Sequence, residues 1–399
     1  MSYKMTAPDI WQPSHADFIA DPYSRYTKLL DRSPVFQAIT GDYVVLSYED
    51  VKQVLLDKTC RSGARAEWTE KMREYGATRG MDYSKSAAGM AGMLIQMNPP
   101  VHTALRAALS KHWPDKESLS AMASVICADI VGSLPTRSFD LVPEVSKKLP
   151  LFMICDLMGI PREDGKNLID DGFQMVQLLD PYLSIKDLKK IENAASHLHR
   201  YFHQFLEKVD PQADALSGAI KTLYPDREDA IGPMIFLFIA GFETTSALIS
   251  YCLKQLIEEK SLASQLRADH DLIERFVLEM LRLYTPVQLT GRTNTQAMVL
   301  SGVEIPENST LTLCIGSANR DPAHFPNPNQ LDLNRNKYDH LAFGYGIHHC
   351  LGRQMAQIEA IELIKSMLPF VDQLSIAVPP PAKTKLTIQS VTSLMVSRS

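Results

Sequence analysis

The sequence predicts a mainly α-helical protein with a smaller β-rich lobe. Two observations carry that class. Apolar residues recur at helical spacing over residues 22–32, 48–56, 118–222 and 229–259, and again from Leu351 through Met355, Ile358 and Ile361. Strand-like alternation is confined to residues 34–46, to residues 303–305 and 310–315, and to the C-terminal stretch around Pro379-Pro380-Pro381. With 45% apolar residues in a chain of 399, a large core can be filled. No internal repeat is visible, and one domain spanning residues 1–399 is expected.

In chain order, Tyr23, Tyr26, Leu29 and Leu30 share one face of the first periodic stretch. Thr40-Gly41-Asp42 between two alternating runs is a hairpin signal. Residues 61–98 are rich in Gly, Ala and Met with weak periodicity, and they read as a long mobile connection. Pro99 and Pro100 mark the start of a helix, on which His102 and Arg106 lie four apart on one face. Residues 163–222 read as further helices without chemistry of their own. The helix from about Asp229 to Glu259 carries Ala240-Gly241-Phe242-Glu243-Thr244-Thr245, an acid and hydroxyls within an apolar run. Glu279 and Arg282, three apart, also share a helix face. Pro286-Val287-Gln288-Leu289-Thr290-Gly291-Arg292 reads as extended.

Charge and composition exclude several classes. A net charge of −5 and a pI near 6.1 lack the basic excess of a nucleic-acid binder. Six scattered cysteines suit a reducing compartment better than a disulfide framework. The N-terminus shows no basic-then-apolar signal pattern. Residues 233–253 are apolar enough to suggest a membrane span, but Glu243 at their centre would cost roughly 2.5–3.5 kcal/mol there. A buried helix of a cytoplasmic, membrane-free protein is the expectation.

The chemistry concentrates in Phe343-Gly344-Tyr345-Gly346-Ile347-His348-His349-Cys350-Leu351-Gly352-Arg353-Gln354-Met355-Ala356. Glycines punctuate a loop that delivers one cysteine to a helix start, where the dipole and unpaired N–H groups favour a thiolate. Such a cysteine can ligate haem iron. Taken alone it could also be a zinc ligand or an inert buried thiol; the zinc reading is set aside on the expectation that the chain offers neither a C-x-x-C nor an H-x-x-x-H partner.

This stretch resembles the haem-binding signature of the cytochrome P450 family, Phe-x-x-Gly-x-His-x-Cys-x-Gly-x-x-x-Ala, and matches every fixed position. The resemblance extends over essentially the whole chain and implies the cytochrome P450 fold, with haem b (iron protoporphyrin IX) as cofactor. It implies Cys350 as the axial thiolate, in a cradle of Phe343, Gly344, Gly346, His348 and Gly352. Ala240 and Gly241 would lie against the haem, with Gly241 letting the helix open locally. His102, Arg106 and Arg292 would hold the propionates. Glu243-Thr244 resembles the family's acid–alcohol pair, in which the threonine steadies dioxygen and the acid relays protons. Glu279, Arg282 and Arg335 would form a buried structural ion-pair triad.

The implied activity is insertion of one oxygen atom from O2 into a lipophilic substrate, by hydroxylation or epoxidation, in tailoring of a natural product such as a polyketide or terpenoid. Electrons would come from a ferredoxin (or flavodoxin) and its reductase. A peroxide-driven peroxygenase and a non-catalytic haem-binding protein are the rival readings. Phe236, Ile239, Ala240 and Thr244 fall on one face of the long helix, at offsets of three, four and eight. Val287, Gln288 and Leu289 would form a second pocket wall, with Gln288 as a lone polar anchor. Met90 and Met93 would form a pliable lid.

Overall fold

The computed structural model describes residues 6–180, 183–212 and 215–398, so positions 181–182 and 213–214 of the stretch expected to be helical lie outside it. Contacts divide the chain into two compact units. One comprises residues 1–61, 123–146 and 244–399; the other comprises residues 62–122 and 147–243. The boundary falls inside the helix Arg227–Glu258, between Glu243 and Thr244.

The first unit holds the β structure. A five-stranded sheet runs in the order Val35–Gln37, Tyr43–Val45, Thr310–Cys314, Leu289–Asn294 and Cys60–Arg61. The expected hairpin is its first pair, turning at Gly41 with φ of +92°. One side of the sheet packs Val45, Leu311 and Leu313 on Tyr48, Val51 and Val54 of the helix Tyr48–Leu56. The other buries Phe36, Val44 and Leu289 against Trp11, Phe18 and Tyr26. The C-terminal alternation gives Leu374–Ile376 and Met395–Arg398, paired in a second sheet, whereas the proline run forms no strand.

The same unit carries the helix Asp271–Leu283, where Glu279 and Arg282 have no exposed surface. Glu279 bonds Arg282 Nε at 2.8 Å and Arg335 Nε at 3.0 Å, the triad expected from the resemblance. Arg282 also donates to the carbonyls of Asn319, Pro328 and Gln330. Charges this deeply buried persist only when paired and fully hydrogen-bonded.

The second unit is helical. Residues 61–98, expected as a mobile connection, fold into the helices Ala64–Ala77 and Ser84–Ala91. Several of their closest contacts are made at glycines, which weakens the apolar periodicity. A methyl at Gly76 would sit 2.7 Å from the Tyr83 ring, and one at Gly92 would overlap the backbone of Gly232. Met90 and Met93 are fully buried, so they are fixed core and not a lid.

Candidate active site

The signature loop closes on itself. Gly344 N donates to Leu341 O at 2.8 Å, His349 N to Gly346 O at 3.1 Å, and Cys350 N to Phe343 O at 2.9 Å. Gly344 and Gly346 both take φ of +67°, a region that L side chains rarely adopt. Gly346 also lies where a methyl would overlap Leu55 O, at the end of the helix Tyr48–Leu56. The loop is thus shaped by its own hydrogen bonds and pressed onto a neighbouring helix. His348 ends a single helical turn, Gly346–His348. The following helix, Arg353–Val371, begins slightly later than its periodicity suggests, with Gly352 at its N-cap and Cys350 two residues before that. Cys350 is exposed, while Phe343, His348 and Gly352 are half-buried.

Arg292 lies in the strand Leu289–Asn294 and is 4% exposed. It donates to Gly291 O at 2.7 Å, and among the described residues no carboxylate pairs with it. Burial pushes its guanidinium down to about 10. An unpaired buried guanidinium is costly; a ligand carboxylate would relieve it. A thiol on a glycine loop and a guanidinium without an internal anion are the donor set that a haem requires, so the residues fit that group.

In the second unit, His102 is buried and Arg106 half-buried on the helix Val101–Lys111. Burial, and then the Arg106 charge, lower the His102 imidazole below its ordinary value and favour the neutral ring.

The long helix carries an open stripe. From Ala230 to Leu253 every residue is buried except Phe236, Ala240, Gly241, Glu243 and Thr244. These recur at helical spacing, so one open stripe runs along a helix that is otherwise packed all round. Its apolar composition also meets the criterion for a membrane span, with 72% of the window buried inside the protein. Glu243 Oε2 is shielded from solvent and has no hydrogen-bond partner. Desolvation pushes its carboxyl up to about 8, against a weaker opposing pull from Lys147. At neutral pH it therefore carries a proton.

Three further pocket expectations change. Ile239 is 3% exposed, and a methyl at Gly172 would lie 3.3 Å from it, so it packs toward the helix Arg162–Val176. Phe242 does the same, edge-on to Phe173 and Phe238. Gln288 is fully buried, and its Nε2 donates to Tyr23 Oη at 2.9 Å and Thr285 O at 2.5 Å. Its amide holds the core together and is not presented to a ligand. Leu289 belongs to the apolar cluster under the sheet, which leaves only Val287 half-buried in that segment. Nor does the helix open at Gly241: it is continuous there, and the missing side chain serves close packing instead, since a methyl would sit 2.6 Å from Ile154.

The expectation that no H-x-x-x-H pair occurs is wrong, because His199 and His203 have that spacing. His199 Nε2 lies 3.0 Å from Lys85 Nζ and 2.9 Å from Glu228 Oε2. Among the described residues no cluster is placed to hold a metal ion.

The family model described as Cytochrome P450 matches residues 166–370. The biotin biosynthesis cytochrome P450 of Bacillus subtilis (strain 168) is 30% identical over 375 residues, 91% of this chain and 92% of that one. The cytochrome P450 monooxygenase PikC of Streptomyces venezuelae is 28% identical over 381 residues, 91% and 87% of the two chains. Among solved structures, P450BioI in complex with a hexadec-9Z-enoic acid ligated acyl carrier protein superposes with a TM-score of 0.86. It is 27% identical and covers 96% of this chain and 99% of that one.

The chain therefore belongs to the cytochrome P450 family and has the cytochrome P450 fold. It is a monooxygenase with haem b as cofactor, and it works with O2, a lipophilic substrate and redox partners.

Proposed function

We propose that this monooxygenase oxidises a medium-to-large lipophilic molecule, by hydroxylation or epoxidation, in tailoring of a natural product of polyketide or terpenoid type. The observation that carries the reading is the open stripe Phe236–Ala240–Glu243–Thr244, apolar except at the end that bears the acid–alcohol pair. Both compact units act as one catalytic domain, a reading supported by the helix Arg227–Glu258 running unbroken through them. The enzyme is cytoplasmic and draws its electrons from a ferredoxin or flavodoxin and its reductase.

Haem, when bound, supplies the activation of dioxygen and the transfer of one oxygen atom to the substrate. Cys350 Sγ would bind the iron, on a loop whose shape is fixed by the Phe343 and Gly346 carbonyls. Arg292, with His102 and Arg106, would take the propionates. Ala240, with its methyl side chain, keeps the stripe low enough for a flat ligand. Glu243 holds its proton at a desolvated carboxyl and can release it toward the stripe, the role of a general acid. The Thr244 hydroxyl, one residue on, both accepts and donates a hydrogen bond, and can pass that proton along. Glu279, Arg282 and Arg335 take no part in chemistry; they hold the segment leading to the cysteine loop.

An acid kept protonated beside an alcohol favours dioxygen chemistry over the peroxide-driven alternative, which needs no such relay. NADH consumption and product formation with a surrogate ferredoxin and reductase, compared with hydrogen peroxide alone, test this directly. Thr244→Ala should leave NADH consumption largely intact and divert it to hydrogen peroxide. Equal product from peroxide alone, with no change in coupling in Thr244→Ala, would replace the proposal with the peroxygenase reading.

A further inference from the structure

The open stripe of the long helix ends abruptly, and the cause is a contact between two backbones. Gly232 lies four residues before Phe236 and eleven before Glu243, close to three full turns, so it continues the same face. Yet Gly232 is buried. A methyl placed on it would meet Gly92 Cα at 2.8 Å and Ala88 O at 3.2 Å, and one on Gly92 would overlap Gly232 itself. Main chain rests on main chain here, and no side chain is present whose rotation could make room.

The segment that covers the stripe is fixed at its other end as well. At the start of the helix Ser84–Ala91, Asp82 Oδ1 accepts from Ser84 N at 2.8 Å. The buried Glu192 carboxylate, from another helix, accepts from the next two, Lys85 N at 3.0 Å and Ser86 N at 2.9 Å. The next side chains along, Met90 and Met93, are fully buried. A segment tied by a carboxylate at one end and by a glycine crossing at the other makes a rigid wall. Eleven residues at 1.5 Å each place that wall about 16 Å from Glu243 along the helix axis.

We propose that the Gly92–Gly232 crossing is a length gauge for the substrate: an extended apolar chain is accepted up to the wall, and a longer one must fold back or leave its end unburied. This rests on the substrate face assigned above, and it adds a residue pair that sets which chain length fits and which carbon is presented.

The test is a homologous series of straight-chain fatty acids, octanoic to octadecanoic, titrated calorimetrically into the haem-loaded protein. Each added methylene should tighten binding about fourfold, the equivalent of about 0.8 kcal/mol, until the chain is about 16 Å long, after which the gain stops. Gly92→Ala and Gly232→Ala should each push the two segments apart and move the break to longer chains. Gly89→Ala is the control: its methyl would meet only the flexible tip of Met175, so the break should stay where it is.

A gain that continues evenly through the series, binding by none of the chains, or an unmoved break in Gly92→Ala would overturn the gauge. The wild-type series decides the matter alone if both glycine variants fail to fold. The reduced carbon monoxide spectrum separates this from the parent reading. A thiolate-type band with no break sinks the gauge only, whereas loss of that band in the wild type sinks the haem-thiolate site.

Discussion

Replacing Glu243 by glutamine removes a titrating group while keeping its shape, and the consequences can be worked out from its burial. An unfolded glutamate titrates near 4.5 and the folded one near 8. Below pH 4.5 the carboxyl is protonated in both states and costs nothing. As pH rises from there, the unfolded state ionises and the folded state does not, so folding weakens by about 1.4 kcal/mol per pH unit until pH 8. At pH 7 the penalty is at most about 3 kcal/mol, and above pH 8 at most about 5 kcal/mol. Both are upper bounds, because part of the side chain meets solvent.

Glu243→Gln should therefore be more stable than the wild type at pH 8 and indistinguishable from it at about pH 4, as read by urea denaturation across that range. Turnover should fall by about 10²–10⁴, since the amide cannot act as an acid. Parallel stability curves for the two proteins would show that the carboxyl is ionised in the folded state. The proton-holding role would then be lost with it.

Four further outcomes follow from the same contacts. Cys350→His should retain some haem but lose the red-shifted Soret band of the reduced carbon monoxide complex; survival of that band would move the ligand elsewhere. Glu279→Leu strips both arginines of their only carboxylate and should destabilise by about 3–5 kcal/mol in chemical denaturation. A loss below about 1 kcal/mol would mean that the pair is solvated. Gln288→Leu should cost about 1–3 kcal/mol of stability through the lost bonds to Tyr23 and Thr285, with ligand affinity unchanged. A weakened ligand at full stability would restore Gln288 to the pocket. Arg292→Leu should speed haem loss to apomyoglobin without lowering the stability of the apoprotein; the reverse pattern would make Arg292 purely structural.

The glycine-shaped path of the cysteine loop and the Glu279–Arg282 pair were legible in the sequence because each depends on residue identity at short spacing, whereas Arg335, 56 residues from Glu279, was placed only through the resemblance. The hairpin and the long helices were legible for a related reason, since periodicity reports a face that meets a single kind of neighbour. What stayed hidden was decided by residues distant in sequence. Ile239 and Ala240 are adjacent on one face of the same helix, and only the presence of Gly172 opposite Ile239 shows which is covered. Gln288 looked like a ligand anchor because a backbone carbonyl three residues back, Thr285 O, is not visible as an amide partner in sequence, and its other partner, Tyr23, lies 265 residues away. The helices between residues 61 and 98 escaped notice because glycine contacts leave no apolar pattern. The boundary between the two compact units falls within a continuous helix, where no change of composition marks it.

Arg282 has a consequence for how this chain can drift over generations. Its five N–H groups are all engaged, two by Glu279 and three by the carbonyls of Asn319, Pro328 and Gln330. A carbonyl is the same whichever amino acid bears it. The irregular stretch before the cysteine loop can therefore exchange many of its surface side chains and keep its path, because that path is held through its main chain by a few buried polar side chains, Arg282 foremost and Glu279, Asn319 and Arg335 beside it. Tolerance is moved to the exposed positions and intolerance concentrated at these buried ones; at Arg282 even lysine, with three donors in place of five, would leave carbonyls unanswered.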